Sequence, residues 1–270
     1  MSPALDPSIR SYSHPATSDV VLHLAARAGG LSGRKILDVG AGEGYFAQLV
    51  GAAAEKEGAV PSEIITACDL VPENFRYRGC ECLRIDALGR LPFVDQSFDA
   101  ACAIEVIEHL ENPAHLAREL YRVLRPGGRA IVTTPNVLNL NSRVRTLLCG
   151  FPVLFDPLPI PAGTKDEAVH GDTGHIMPLP AFHLAHHFLR AGFVEPRLHF
   201  DRYKASAMGW YALLAIPIAL ASGYWRWRLA RRKPRAVAGN ESIIGAINGR
   251  RLLTARTIVL EVRRPATAAP

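Results

Sequence analysis

A run of apolar residues that ends in alternating glycines constrains this chain more than any other feature. Residues 35–49 read KILDVGAGEGYFAQL, so a strand-like run passes Asp38 and then meets Gly40, Gly42 and Gly44. Glycines at such a place let the backbone approach a ligand and adopt dihedral angles that a β-carbon forbids. Because the helix that follows offers free amide groups, the loop predicts a nucleotide-like ligand at the end of the first strand.

The same run is the first of a regular series of strand-like and helix-like segments. Alternation of this kind predicts βαβ units, a parallel sheet and an α/β fold. Ser18 or Asp19 is the expected cap of the first helix, which follows an irregular arm over residues 1–17. The strand-like runs are 35–39, 63–69, 82–86, 98–104, 129–135, 193–200 and 256–264, and the helix-like runs are 18–29, 45–58, 113–128 and 180–192.

The chain length of 270 residues fits one α/β domain, residues 1–270, with two insertions. Residues 136–178 are rich in Pro, Gly, Asn and His and are expected to lie over one edge of the sheet. Residues 205–247 form an apolar and basic insertion before the last strand. The N-terminus has no apolar core and the five cysteines have no zinc-ligand spacing, so we expect a cytoplasmic protein with reduced thiols.

The charge beside the glycine loop indicates which nucleotide the loop binds. The spacing is G-x-G-x-G rather than the dinucleotide pattern G-x-G-x-x-G, and Asp38 would repel a diphosphate. An ammonium or sulfonium group would be attracted, which favours S-adenosylmethionine over NAD as the cofactor. Asp69 and Asp86 end the second and third strands, where carboxylates could reach the ribose hydroxyls and the adenine amine.

Five motifs in order resemble the class I S-adenosylmethionine-dependent methyltransferases. That resemblance implies a doubly wound, mostly parallel seven-stranded sheet of Rossmann-like type, with the last strand antiparallel. It also implies cofactor-binding roles for Asp38, Gly40, Gly42, Gly44, Asp69, Leu70, Asp86, Ala87 and Glu105. The motifs are ILDVGAGEGYF, CDL, IDALGRLPFVDQSFDAA, EVIEHLENP and ELYRVLRPGGRAIVTTPN.

Two carboxylates and an imidazole follow the fourth strand in the motif EVIEHL. Glu105, Glu108 and His109 could bind a divalent cation, with a further ligand from His175 or His170. This pattern resembles ubiquinone-pathway O-methyltransferases and small-RNA terminal 2′-O-methyltransferases, which implies Mg²⁺ or Mn²⁺ at a pair of acceptor oxygens. In the alternative, no metal binds, Glu105 shapes the methionine pocket, and His109 is a base or a residue at a helix start. The predicted catalytic residues are His109 and Glu105.

The segment TPNVLNLNSRVR follows the fifth strand and has two interpretations. Its amides and guanidiniums could bind a sugar or another polar acceptor. Alternatively, Asn141 or Ser142 caps a short helix and the arginines face water. The segment also resembles methyltransferases of glycan and lipid-linked sugar pathways. The side chains concerned are Asn136, Asn139, Asn141, Arg143 and Arg145.

An apolar segment with aromatic flanks precedes a basic tail. Residues 205–225 carry no charge, and residues 226–235 hold six Lys or Arg and no acid. Strands on both sides should share one sheet, so a single membrane crossing conflicts with the fold, and Pro217 could divide the segment into two short helices. We expect residues 205–235 to bind the inner face of a membrane, through its anionic lipids. The alternative is a lid over the site or a dimer contact.

These observations predict an S-adenosylmethionine-dependent methyltransferase that acts on oxygen. The expected acceptor is a hydroxyl group of a small molecule, a glycan or a lipid-linked molecule. An RNA-terminal 2′-O-methyltransferase is the alternative enzyme, but outside residues 226–235 the chain is nearly neutral, so nucleic acid is not an expected partner. A catalytically silent, membrane-associated cofactor-binding protein is the alternative from another class.

Overall fold

A single sheet organises the computed structural model, which describes residues 5–26, 30–86, 89–157, 174–238 and 240–266. Within those ranges, seven strands run in the order β3-β2-β1-β4-β5-β7-β6. Neighbouring strands are parallel, except that β7 is antiparallel to both β5 and β6. The predicted α/β architecture is therefore confirmed. The strands are β1 (Ile36–Val39), β2 (Ile65–Asp69), β3 (Cys82–Arg84), β4 (Phe98–Ile104), β5 (Leu124–Pro135), β6 (Val194–Phe200) and β7 (Thr257–Arg263).

Helices cover both faces of the sheet because successive side chains of a strand point to opposite sides. Leu37 and Val39 belong to the core on the face covered by α4 and α6, whereas Ile36 belongs to the core on the face covered by α1 and α2. The helices are α1 (Pro15–Ala26), α2 (Tyr45–Lys56), α3 (Pro61–Ile64), α4 (Pro113–Val123), α5 (Leu140–Cys149), α6 (Ala181–Arg190), α7 (Ala205–Arg232), α8 (Pro234–Ala238), α9 (Glu241–Ala246) and α10 (Arg250–Thr254), with 3₁₀ turns at Pro72–Asn74 and Ile107–His109.

The strand order reverses at β1, and this reversal places the functional site. From β1 the chain builds outward through β2 to β3, and it then returns to place β4 on the other side of β1. The connections on the two sides of β1 diverge, so a crevice opens at the carboxyl ends of β1 and β4. The glycine loop follows β1 and the EVIEHL motif follows β4, so both line this crevice.

Two helix boundaries differ from the sequence-based expectation, and proline explains both. Helix α1 begins at Pro15 rather than at Ser18 or Asp19, because proline suits the first helical position; Ser18 itself is buried. Helix α4 ends at Val123 rather than at residue 128. Pro126 cannot donate a helical hydrogen bond, and Leu124 already pairs with Phe98 in the sheet.

The polar side chains of the segment after β5 mainly bond to other parts of the protein. This favours helix capping over acceptor binding as their role. Asn139, not Asn141 or Ser142, caps α5, and its side chain accepts from Ser142 N at 2.9 Å. Arg143 does not face water: it donates to Leu138 O at 2.7 Å, and burial lowers its pKa. Arg145 pairs with Asp156.

Asn136 joins this segment to the chain just before β7. Its Nδ2 donates to Leu252 O at 2.7 Å and to Ala255 O at 3.0 Å, and its Oδ1 accepts from Leu138 N at 3.0 Å. The side chain is 2% exposed. Asn136 is therefore fully used in holding two loops at the carboxyl end of the sheet, rather than being available for an acceptor.

Helix α7 is one continuous helix of 28 residues, so Pro217 does not divide it as expected. A proline removes one helical hydrogen bond, and an exposed helix tolerates this because water can solvate the freed carbonyl. The helix starts against the domain, where Lys204 N donates to Thr254 O at 2.7 Å, and Asn248 reaches Ser222 Oγ at 2.6 Å. The helix therefore lies along the domain instead of projecting from it.

We expect Asn136→Ala to lower the free energy of unfolding by about 2–4 kcal/mol, because three buried backbone groups lose their partner. Urea denaturation of the free protein measures this change. Asn141→Ala, at a half-buried side chain of the same segment, is the matched control and should stay within about 0.5 kcal/mol. Equal destabilisation by both variants would contradict the structural role of Asn136.

Candidate functional site

The glycine loop after β1 is held by neighbouring backbone and leaves no room for side chains. Gly40 N donates to Cys68 O at 2.8 Å, which ties the loop to the end of β2. Gly40 and Gly42 have φ values of +73° and +53°, in the left-handed region that glycine favours. A β-carbon at Gly40 would overlap Val106, and one at Gly42 would lie 2.9 Å from Tyr12 Cε2. The loop therefore requires glycine for both conformation and space.

Asp38 presents an unpaired carboxylate oxygen below this loop. The residue is 2% exposed, and its Oδ2 has no hydrogen-bond partner among the described residues. Burial, and then the nearby charge of Asp69, raise the pKa of Asp38 to about 7. A buried carboxylate of this kind gains most from a cationic partner, so its environment fits the ammonium group of S-adenosylmethionine.

Asp69 turns toward the loop rather than toward solvent. Its Oδ2 accepts from Gly42 N at 2.8 Å, and its Oδ1 accepts from Val71 N at 2.9 Å. These bonds fix the loop beside the end of β2, and contact with the ribose hydroxyls stays a prediction.

The other cofactor-binding positions predicted from the sequence are less constrained. Leu70 is 47% exposed at the rim, and Asp86 is exposed just beyond β3. Ala87 lies outside the described residues. Gly44 precedes α2, and a β-carbon there would lie 2.8 Å from the Phe75 ring. The adenine contact of Asp86 and the cofactor contacts of Leu70, Ala87 and Gly44 therefore stay predictions.

The N-terminal arm covers the glycine loop, which sequence reasoning did not anticipate. Glu43 accepts from Arg10 N at 3.0 Å and from the Tyr12 hydroxyl at 3.3 Å. These bonds hold the Tyr12 ring against Gly42. Tyr12 is the only Phe, Trp or Tyr among residues 1–40, and its isolation was the one sequence signal that could have indicated this contact.

Glu105 adopts an unusual backbone conformation at the end of β4. Its φ is +54°, which is uncommon for a residue with a β-carbon and recurs at functional sites. Thr133 on β5 holds it twice: Thr133 Oγ1 accepts from Glu105 N and donates to Glu105 Oε1, each at 3.0 Å. Burial and the charge of Asp201 raise the pKa of Glu105, and Arg256 opposes this effect.

Glu108, His109 and His175 come together at the same mouth. One potential ligand atom from each lies within 4.8 Å of the others. Glu108 is fully buried, and neither carboxylate oxygen has a partner at full hydrogen-bond geometry among the described residues, although the nearby Thr134 hydroxyl favours its charged form. Burial, and then the neighbouring Glu105, raise the pKa of Glu108. The three side chains form an acidic and imidazole-rich group beside the crevice.

Backbone carbonyls orient both imidazoles. His109 Nδ1 lies 2.9 Å from Gly174 O, and His175 Nδ1 lies 2.7 Å from Leu154 O. Donation through Nδ1 fixes the tautomer that carries its lone pair on Nε2, an arrangement that is common for metal-binding histidines. The segment that carries His175 is attached by Ile176 N and Met177 N, which both donate to Glu108 O.

The other predicted ligands and the remaining histidines are not part of this group. Glu105 is not one of the group of three, and His170 lies outside the described residues. His183 and His186 are exposed on α6, as expected for surface residues, and His115 Nε2 lies 2.9 Å from Gly89 O. The structure therefore groups three of the four predicted metal ligands.

A cavity of about 290 Å³ adjoins this mouth, and three cationic side chains line it. They are Arg202, Lys204 and Arg256, which lie far from the motifs along the chain. Sequence reasoning missed all three because only the fold brings them together beside the end of β5.

Comparisons with known proteins find methyltransferases as the relatives of this chain. The family model described as "Methyltransferase domain" matches residues 37–132. An O-methyltransferase of Aspergillus nomiae is 30% identical over 173 residues, which cover 63% of this chain and 76% of that protein. A ubiquinone biosynthesis O-methyltransferase of Xylella fastidiosa is 35% identical over 130 residues, covering 45% and 50% of the two chains. The first curated relatives are matched over only 39% to 45% of their own length.

A solved structure extends the similarity in fold to nearly the whole chain. An S-adenosylmethionine-dependent methyltransferase from Archaeoglobus fulgidus superposes with a TM-score of 0.52 at 16% identity. The superposition covers 91% of this chain and 94% of that one. At this identity the likeness concerns the fold alone.

We expect Asp38→Asn to stabilise the cofactor-free protein increasingly as the pH rises. The pKa of Asp38 is about 7 when folded, above its ordinary value, so wild-type stability falls between about pH 4 and pH 7 as the buried group ionises. The stability difference between variant and wild type should grow by about 2–3 kcal/mol from pH 5 to pH 8. Thermal or urea denaturation across that range measures it.

The same variant should bind S-adenosylhomocysteine about 10- to 100-fold more weakly at pH 8, because the ammonium loses a charged partner. Isothermal titration calorimetry measures this affinity. Asp19→Asn, at an exposed position of α1, is the matched control and should change neither quantity. A variant that keeps wild-type affinity would contradict the role assigned to Asp38.

Proposed function

The chain belongs to the S-adenosylmethionine-dependent methyltransferases, and we propose that it methylates a hydroxyl oxygen of a small-molecule, glycan or lipid-linked acceptor. The observation that carries the proposal is the group of Glu108, His109 and His175 beside the crevice. An alcohol or phenol must lose a proton as it attacks, and imidazole and carboxylate groups are suited to accept it. O-methyltransferases among the relatives support the same reaction.

The proposed reaction is an in-line displacement at the methyl carbon. The acceptor oxygen forms a bond to that carbon, the bond from carbon to sulfur breaks, and the electron pair leaves with S-adenosylhomocysteine. The hydroxyl proton passes to His109 or to Glu105. The enzyme mainly aligns the reactants, and such alignment can contribute about 7–11 kcal/mol to lowering the barrier. Thr133 supports this by fixing Glu105 in its strained conformation.

The chemistry of the group of three also fits a divalent cation. A buried carboxylate without a hydrogen-bond partner and two histidines oriented through Nδ1 are suitable ligands for Mn²⁺, and an oxygen-preferring ion such as Mg²⁺ would rely on Glu108. When bound, such an ion would lower the pKa of the acceptor hydroxyl. With the cation bound, Glu108, His109 and His175 would hold it, and Glu105, bonded to Thr133, would be the group left to accept the hydroxyl proton.

Two other functions make different predictions. An RNA-terminal 2′-O-methyltransferase would use the same ligands, but the excess positive charge lies in residues 226–235 rather than around the crevice as a whole. A silent cofactor-binding protein would bind S-adenosylmethionine without ever releasing S-adenosylhomocysteine. Backbone carbonyls orient both His109 and His175, and this arrangement suits an active enzyme better than a silent binding protein.

We expect the purified protein to release S-adenosylhomocysteine and to form a methyl ether with a hydroxyl acceptor from a panel of phenols, sugars, sugar phosphates and lipid-linked sugars. Nuclear magnetic resonance identifies the methylated atom. His109→Ala should lower turnover by about 10²- to 10⁴-fold. His183→Ala, at an exposed histidine of α6, is the matched control. Methylation at nitrogen, or full activity of His109→Ala, would refute the proposal.

Metal binding has its own readout in the same preparation. Calorimetry with Mn²⁺ should detect one site, and Glu108→Gln or His175→Ala should weaken it by about tenfold or more, because each removes a ligand. Turnover should stop with a chelator and return with Mn²⁺. Activity that is indifferent to the chelator would leave His109 as the base without a metal.

We also propose that α7 rests on an anionic membrane surface. An 18-residue window of this helix has a mean hydropathy of 1.5, and only 6% of that window is buried. By length and composition such a helix could cross a bilayer, but its contacts through Lys204 and Ser222 attach it to the domain, so we place it parallel to the membrane. Its C-terminal aromatic and arginine residues suit a lipid–water interface, as in the stacking of Arg231 on Trp227 at 4.3 Å.

Sedimentation with vesicles tests this membrane proposal. We expect the wild-type chain to bind vesicles that contain phosphatidylserine at low salt and to dissociate as salt rises. Replacing Leu213, Ile216 and Leu220 by Gln should abolish binding, because each is at least 68% exposed. Val94→Gln, at a position 79% exposed elsewhere, is the control. Wild-type protein that stays in the supernatant at low salt would overturn the proposal.

A further inference from the structure

We propose that the cavity between the end of β5 and the start of α7 binds a phosphate group of the acceptor, so that the substrate is a phosphorylated hydroxyl compound. The proposal rests on the O-methylation proposed above and specifies its substrate class. It depends on the charge, position and size of the cavity, which are independent of the residues that hold the cofactor.

Among the described residues, the cationic side chains of the cavity form few direct ion pairs. Lys204 and Arg256 form no ion pair with a carboxylate in the described part of the chain. Arg202 has one long contact, 3.9 Å from Nε to Asp201 Oδ2, and Asp201 already accepts from Thr17 and from Thr257 N. Like charges held together in this way are unfavourable unless an anion binds between them.

The pKa of Lys204 reflects the positive charges around it. Burial, and then the positive charges of Arg256 and Arg145, lower the pKa of Lys204. Arg145 itself is paired with Asp156, and the two buried asparagines that line the cavity, Asn136 and Asn139, are used in backbone hydrogen bonds. The cations are therefore the groups that remain for a ligand.

The start of α7 adds to the positive potential. Lys204 is the residue before the helix, its side chain makes no capping bond, and Ala205 at the first helical position lines the cavity. The N-terminal end of a helix carries a partial positive charge and binds anions through its backbone amides. Two guanidiniums, an ammonium and a helix end suit the double charge of a phosphate monoester better than a single carboxylate.

The cavity lies beside the reacting groups. It begins at Pro135 and Asn136, just after Thr133, which holds Glu105 at 3.0 Å, and Arg256 is close enough to Glu105 to affect its pKa. Its volume of about 290 Å³ is at the lower end of the range for small-molecule sites. The cavity therefore fits the charged part of an acceptor whose hydroxyl group extends toward Glu105.

Direct binding of small probes tests the proposal without any methyl transfer. The probes are inorganic phosphate, glucose 1-phosphate with glucose as its uncharged match, and dihexanoyl phosphatidic acid with dihexanoylglycerol as its match. We expect the phosphorylated member of at least one pair to bind the wild-type protein and to lose at least tenfold in affinity in Lys204→Gln/Arg256→Gln. Tighter binding of the sugar phosphate or of the lipid phosphate identifies the source of the phosphate group.

A second double variant, Arg118→Gln/Arg190→Gln, removes the same charge at exposed positions of α4 and α6 and should bind every probe as the wild type does. S-adenosylhomocysteine affinity, measured in all variants, shows whether the fold and cofactor site are intact. Probe binding that is absent from the wild type, or unchanged in Lys204→Gln/Arg256→Gln, overturns the proposal. A single-stranded RNA that displaces both ligand types at lower concentration overturns the small-acceptor assignment.

The two proposals fail in different ways. If no oxygen is methylated but phosphate binding depends on Lys204 and Arg256, then the reaction assigned above is wrong and the anion site stands. If oxygen is methylated but no phosphorylated compound binds better than its uncharged match, then the anion site is wrong and the reaction stands.

Discussion

The functional site depends on one physical constraint: acidic side chains are removed from water at the edge of the sheet where the parallel strands end. Asp38 and Glu108 are buried with oxygen atoms that no described group satisfies. Burial of this kind opposes stability, and a cationic ligand can offset that cost. In the functions proposed above, the ammonium of the cofactor would offset the charge of Asp38, and a divalent cation would offset that of Glu108. The strand order makes this possible because it opens a crevice where both strands end.

The charge of the crevice changes sign from the cofactor side to the acceptor side. Acids at the ends of β1 and β2 lie where we expect the cofactor, whereas Arg202, Lys204 and Arg256 line the cavity beyond β5. Glu105 lies between these regions, with Asp201 and Arg256 acting on its carboxyl group in opposite directions. A cationic cofactor and an anionic acceptor would therefore be attracted to adjacent places, which brings the methyl group and the accepting oxygen together.

Helix α7 connects this acceptor region to the surface proposed for membrane binding. Its first residue lines the cationic cavity, and its exposed apolar side chains extend along a helix of 28 residues, or about 42 Å. An acceptor with a phosphate group and an apolar chain could contact both features at once. The fold also limits α7, because residues 233–254 must return to β7 in the same sheet, and Ser242 Oγ contacts Pro196 O on β6 at 3.4 Å.

The sequence by itself determined the sheet, the glycine loop and the cofactor, because each depends on local patterns: short apolar runs of strand length, residues that adopt positive φ, and an acid next to a loop. It also placed Glu108 and His109 correctly after β4. The sequence also predicted His175 or His170 as a further ligand, and the structure places His175 beside them. Only the tertiary structure placed Tyr12 over Gly42 and assembled Arg202, Lys204 and Arg256. It likewise showed that Asn136 supports loops and that Pro217 leaves α7 continuous. These facts depend on contacts between residues far apart in the chain and on solvent exposure, which no local pattern encodes.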